Sequence, residues 1–179
     1  MTNLKEEKCL IAYFSRAGNN YVSGKIVNLP VGNTKVVADM IREITGGDVF
    51  SIDTVQSYPR DYTATTNVAK KELNENARPE LSSHVENMDS YNVIFLGYPN
   101  WWGTMPMPVF TFLEEYDFSE KTIVPFCTHG GGGMGCSEND IAKLCPEATL
   151  LKGIAIQGSR VSAAKKDVES WLELISRMP

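Results

Sequence analysis

Two Gly-Asn pairs lie close together in FSRAGNNYVSGKIVNLPVGNT, residues 14–34: Gly18 with Asn19, and Gly32 with Asn33. Either pair could help to hold an anion. That chemistry needs exposed backbone N–H groups at a helix N-terminus, where the peptide dipoles sum to about half a positive charge. Helix periodicity selects the second pair, because Val36, Val37, Met40, Ile41 and Ile44 fall on one face after Thr34, with Asn33 or Thr34 suited to cap the helix. Around residues 21–27, YVSGKIV alternates about a Ser-Gly turn and reads as a small hairpin. Ser15, Arg16 and Ala17 emerge from the preceding strand and meet Asn33 and Thr34 if residues 18–31 loop out and return. The anion loop is then split in sequence and whole in space. Its hydroxyls, amide N–H groups and the Asn33 side chain would donate to an anion, each charge-assisted bond contributing about 1.5 to 3 kcal/mol, and Arg16 would add a cation. Short Gly/Ser/Thr motifs of this kind also occur in ordinary polar turns.

Two further stretches carry residues suited to a flat ligand. YPNWWGTMP, residues 98–106, places Trp101 beside Trp102 on a loop. One indole there would read as lid packing over the core; two adjacent ones offer aromatic faces to a planar ring, with backbone groups for its polar edge. CTHGGGGMGCS, residues 127–137, offers glycines that let backbone approach such a ring closely. His129 alone would more often be a surface or capping residue than a catalyst, but here it directly follows a strand.

These stretches need a scaffold that brings them together. Apolar runs at 9–14, 49–55, 93–98, 122–126 and 150–156 read as strands, several apolar on both faces. Amphipathic patterns at 35–45, 62–76, 108–116, 137–144 and 162–176 read as helices. Continuous apolar strands alternating with helices predict a parallel sheet covered on both faces, and right-handed crossovers make it a doubly wound three-layer α/β fold. Ligands of such folds bind outside the carboxyl ends of the strands, where the strand order reverses. The three stretches follow the first, third and fourth strands.

Bulk properties narrow the alternatives. At 179 residues the chain has the size of one domain with a well-filled core. A net charge of -5 with no basic stripe argues against nucleic acid. The start, MTNLKEEKCLIAYF, has neither the flanks of a signal peptide nor the length of a membrane span, so a cytoplasmic location is expected. Cys9, Cys127, Cys136 and Cys145 lack the spacing of a zinc site, so no metal is expected and the thiols should be reduced and mostly buried. Cys136, in the glycine-rich loop, fits burial least well.

Taken together, the three loops resemble those of the flavodoxin-like, FMN-binding family. The likeness covers nearly the whole chain, down to GIAIQGS and the last helix with Trp171. It implies a five-stranded sheet of order 2-1-3-4-5 and FMN as cofactor. Ser15, Arg16, Ala17, Asn33 and Thr34 match the family's phosphate loop. Pro99, Asn100, Trp101, Trp102 and Gly103 match one isoalloxazine loop, and Thr128, His129, Gly130 and Gly131 match the other. WWGTMPMPVFTFLE is also similar to flavodoxin-fold quinone reductases.

The chain departs from the family pattern in its interrupted phosphate loop and in lacking a Tyr after the fourth strand. Residues 99–104 and 127–136 contain no Asp or Glu. Fewer negative charges beside a flavin make it easier to reduce, and a protonated His129 would add to that effect. Two roles follow from the resemblance. One is an electron carrier serving a redox partner protein, and the alternative is an NAD(P)H-dependent FMN reductase acting on quinones or similar small-molecule acceptors. The hairpin at 18–31 could cover the phosphate, contact a partner or build a homodimer interface. Tyr58 and its neighbours, before a charged helix, read chiefly as part of a covering element and otherwise as an edge that selects the acceptor.

Overall fold

A computed structural model describes residues 7–177; residues 1–6, the head of the amino-terminal stretch considered above, and residues 178–179 lie outside the described residues. In chain order, β1 (Cys9–Tyr13) leads into β2 (Gly18–Val22) and β3 (Lys25–Leu29), then α1 (Asn33–Thr45), β4 (Asp48–Ser51) and α2 (Tyr62–Asn74). There follow β5 (Val93–Pro99), α3 (Met107–Glu115), β6 (Thr122–His129), α4 (Ser137–Leu144), β7 (Thr149–Leu150), β8 (Ile154–Gln157) and α5 (Lys165–Ser176).

The main sheet runs β4-β1-β5-β6-β7, and β8 also pairs with β6. All of these pairings are parallel. With β7 and β8 sharing the fifth position, this is the 2-1-3-4-5 order of a doubly wound sheet. β1 is buried throughout and β5 for six of its seven residues, as strands covered by helices on both sides must be.

Alternation along the strands divides the core in two. Leu10, Ala12, Ile94, Leu96 and Tyr98 face α3 and α4, with Met107, Phe112 and Ile141 packed against them. Cys9, Ile11, Tyr13, Phe95, Val124 and Phe126 face α1 and α5, meeting Val37, Ile41, Val168 and Trp171. Each fully buried large side chain contributes about 1.5 to 3 kcal/mol, so the two layers hold the strand ends in register without help from the loops.

Several boundaries differ from the sequence expectation. β4 stops at Ser51, and beyond it Thr54 bridges to Leu81 instead of joining the sheet. α2 ends at Asn74, because Asn76 adopts φ 49°. The last helix begins at Lys165, after a 3-10 stretch, Gly158–Ala163.

The fifth strand, expected to be continuous over 150–156, is broken in two. The cause is Pro125 in β6. The Leu151 N–H donates to the carbonyl of Ile123, so Ile123 faces the fifth position, and Pro125, two residues on, faces the same way. Proline has no N–H to offer there. Pairing therefore lapses between Ile123, opposite Leu150, and Phe126, opposite Ile154.

One packing constraint lies at the sheet's centre. Gly97 pairs with Phe126 across β5 and β6, and a β-carbon at Gly97 would fall within the Phe126 ring. Gly97→Ala is expected to cost about 1 to 3 kcal/mol through overpacking, measured by urea denaturation. Combining it with Phe126→Leu should recover part of that loss; equal or additive destabilisation in the double variant would refute the contact as the cause.

Candidate functional site

The carboxyl ends of β1, β5 and β6 open on one cavity of about 500 Å³, within the range of small-ligand and cofactor sites. Its polar end is built by chain segments sixteen residues apart. α1 is capped by Gly32, not by Asn33 or Thr34 as expected, and Gly32 makes no side-chain cap bond. Ser15 supplies the missing acceptor, its Oγ taking the Lys35 N–H at 3.1 Å. A β-carbon at Gly32 would overlap Ser15 Oγ and come within 2.7 Å of the Arg16 carbonyl oxygen. The strand-side and helix-side halves thus touch through a position that admits only glycine.

Asn33 and Thr34 occupy the first two helical positions, so their N–H groups have no acceptor within the helix. No acid lies in that first turn. The Asn33 amide packs where a β-carbon of Gly158 would otherwise stand. Thr34 is buried, and its hydroxyl is 2.8 Å from that of Thr128, which ties the helix start to the end of β6.

Arg16 is placed differently from a phosphate-gripping cation. Its guanidinium donates to the carbonyls of Pro59 at 2.8 and 3.1 Å, Arg60 at 2.6 Å and Asn19. Burial disfavours its charge and Asp61 favours it, and a guanidinium stays protonated regardless. Arg16 therefore lines the cavity while fastening the root of the β2–β3 hairpin to the segment before α2. Asn20 reinforces that root by donating to the Arg16 and Gly18 carbonyls.

The other end of the cavity has two walls joined to each other. Asn100 Nδ2 donates to the Gly133 carbonyl at 2.8 Å, Asn100 Oδ1 accepts from the Gly103 N–H, and the Cys136 N–H donates to the Gly103 carbonyl at 2.7 Å. The two tryptophans separate in role. Trp101 is packed edge-on to Phe14 and Tyr58, both at 5.1 Å between ring centroids. Trp102 is half-exposed in the left-handed region, φ 56°, which is strained for a bulky residue. Its Nε1 donates to the Thr66 carbonyl of α2, and Lys70 lies over its ring at 4.6 Å.

Titratable groups are few and constrained. Burial pushes the His129 imidazole below its ordinary range, and Nδ1 is enclosed with no partner among the described residues. At neutral pH His129 is therefore neutral, and the cationic tuning expected of it begins only in acid. Cys127 is raised to about 12, chiefly by burial, which makes it inert as a nucleophile. Tyr58, partly buried and edge-on to Trp101, donates to Glu72 at 2.6 Å, so it is part of the covering layer.

Residues 8–175 match the family model described as Flavodoxin. The chain belongs to the flavodoxin family. That membership supports FMN as the cofactor. Among solved structures, a protein of Bacteroides eggerthii DSM 20697 described as a flavoprotein is 29% identical, with 97% of this chain and 100% of that one covered and a TM-score of 0.77. A second, from Bacteroides uniformis ATCC 8492, is 25% identical over 93% and 98%, with a TM-score of 0.71. A flavoprotein in complex with FMN from Lactobacillus acidophilus NCFM shares the fold at 21% identity, over 88% and 97%, with a TM-score of 0.65. Comparison with curated proteins gives no match. Among the described residues, no helix is long and apolar enough to cross a membrane.

In this flavodoxin-family chain the cavity is lined by Ser15, Arg16, Asn33 and Thr34, by Pro99, Asn100, Trp101 and Trp102, and by Thr128, His129, Gly130 and Gly131. Ala17 and Gly103 lie outside the lining. Ala17 is exposed, while Gly103 serves as the junction between the two walls. The cavity is also lined by residues not singled out in the sequence, Asn20 and Tyr21 of the hairpin and Tyr62, Thr65, Thr66 and Ala69 of α2. The α2 residues fall at i, i+3, i+4 and i+7, one helix face of Tyr, two Thr and Ala that periodicity alone could have found.

The lowered His129 pKa has a consequence for stability. Because the folded value lies below the unfolded one, the unfolded chain takes up the proton first, and stability is lost as pH falls below about 6.5. Urea midpoints at pH 7.5 and 5.5 should diverge less in His129→Gln than in the unaltered protein. An equal divergence would show that His129 is not the group responsible.

Proposed function

We propose that the protein binds FMN in this cavity and carries electrons in redox reactions, its phosphate end held at α1 and its ring end between the 99–103 and 128–131 loops. The observation that carries the reading is the gathering of unpaired helix N–H groups, two tryptophans and a glycine-rich loop around one cavity at the sheet's switch point. Ser15 and the N–H groups of Asn33 and Thr34 would hold the phosphate. The shape fits on physical grounds as well: β-carbons are excluded at Gly32 and Gly158, and the ring-end walls are joined before any ligand arrives. Bound FMN supplies reversible uptake of one or two electrons, and the protein's share is to position the ring, tune it and exclude water.

A second reading, an NAD(P)H-dependent FMN reductase acting on quinones or similar acceptors, is favoured by the scarcity of negative charge at the ring end. The nearest acids of α4 are turned to other partners, Glu138 to the Gly153 N–H and Asp140 to the Thr104 hydroxyl. A cytoplasmic setting, with a redox partner protein or a small-molecule acceptor, completes either reading.

Two measurements test these statements. FMN should bind at least about a hundredfold more tightly than riboflavin, as two or more charge-assisted bonds to the phosphate require, and Gly32→Ala should erase most of that margin; equal affinity for the two ligands would remove the phosphate assignment. Anaerobic photoreduction of the FMN-loaded protein, followed in the visible spectrum, should proceed in two resolved stages for an electron carrier. A single stage, with NADH or NADPH consumed in the presence of a quinone, would establish the reductase instead.

A further inference from the structure

The β6 loop has no aromatic residue of its own to offer a planar ligand, yet an aromatic ring from elsewhere in the chain lies against it. It belongs to Tyr21, at the fourth position of β2. A β-carbon on Gly130 would meet Tyr21 Cδ1 at 3.0 Å and Cε1 at 3.3 Å. The Tyr21 ring also lies 6.4 Å from that of Tyr62 at the start of α2, with 30° between the planes, inside the range in which aromatic pairs attract. Tyr21 thus spans the cavity from the β6 loop to α2, and lines it together with Asn20.

A two-stranded hairpin is marginal by itself, so this position needs an anchor. Arg16 is that anchor. Its guanidinium joins the Asn19 carbonyl in β2 to the carbonyls of Pro59 and Arg60, and the Asn19 N–H donates to the Arg60 carbonyl at 3.3 Å. The turn at the far end is shaped by Ser23 at φ 49° and Gly24 at φ 81°, the paired positive values of a tight hairpin turn. Tyr21 sits two residues before that turn and is 45% exposed, so it is partly open to solvent while also lining the cavity.

We infer that the hairpin is the roof of the binding site and that Tyr21 is a ligand-contacting residue, supplying from the insertion the aromatic contact to the bound planar ring that the β6 loop lacks. This inference rests on the FMN reading above. Arg16 is a positioning residue for Tyr21, and Gly130 is glycine because the Tyr21 ring occupies the space beside it.

Equilibrium titration of the full chain with FMN, read by quenching of FMN fluorescence, tests the assignment. Tyr21→Ala should bind FMN about tenfold more weakly and leave the bound FMN visibly more fluorescent, with thermal stability of the ligand-free protein unchanged because the residue is already half-exposed. Tyr21→Phe keeps the ring and should behave like the unaltered protein in both respects. Wild-type affinity and quenching in Tyr21→Ala would overturn the inference while leaving the cofactor assignment intact. Failure of the unaltered protein to bind FMN would overturn both.

Discussion

The site depends on a missing carbon atom. Where α1 begins, the chain that left β1 returns after a sixteen-residue excursion and touches its own earlier backbone, and only glycine at position 32 leaves room for the Arg16 carbonyl and the Ser15 hydroxyl to lie against it. Ser15 then caps the helix from outside, taking one of the N–H groups that every helix start leaves without a partner. Those of Asn33 and Thr34 are available to an anion. A side-chain cap from Asn33 or Thr34 would have consumed that capacity, so the use of a remote serine with a glycine cap preserves the positive end of the helix for a ligand.

The same economy of contacts organises the ring end. Asn100 uses both ends of its amide on the loop–loop junction, and the Gly103 carbonyl accepts from Cys136, so the two walls hold each other before anything is bound. Preorganisation of this kind lowers the entropy cost of binding. Trp101 belongs to this rigid layer through its contacts with Phe14 and Tyr58, whereas Trp102 reaches across to α2 and helps to complete the roof.

Much of this was legible in the sequence because it rests on local rules. Strand runs apolar on both faces gave the parallel sheet, and the loops after the first, third and fourth strands are those that line the cavity. The split of the anion loop could be read because helix periodicity resumes only after Thr34. The roof was less accessible. Tyr21 and Arg16 act through contacts with residues 41 to 109 positions away, at Pro59, Tyr62 and Gly130, and no local pattern encodes such partners. Arg16 was readable as a cation but not as a latch on backbone carbonyls. Likewise, the neutral state of His129 follows from burial that only the packed structure creates. The break in the fifth strand is a different kind of omission, since Pro125 stood in plain view and its missing N–H predicts the gap.

That gap also bears on how copies of the molecule meet. A long, regular outer strand presents a row of unsatisfied N–H and C=O groups that can recruit the same strand from another copy. Here the outer position beside β6 is cut into pieces of two and four residues, and the opposite border, β4, is four residues long. Neither border offers the uninterrupted ladder that sheet-to-sheet polymerisation requires. A single proline in an interior strand thereby shortens the ladder that the sheet's own periphery presents to another copy.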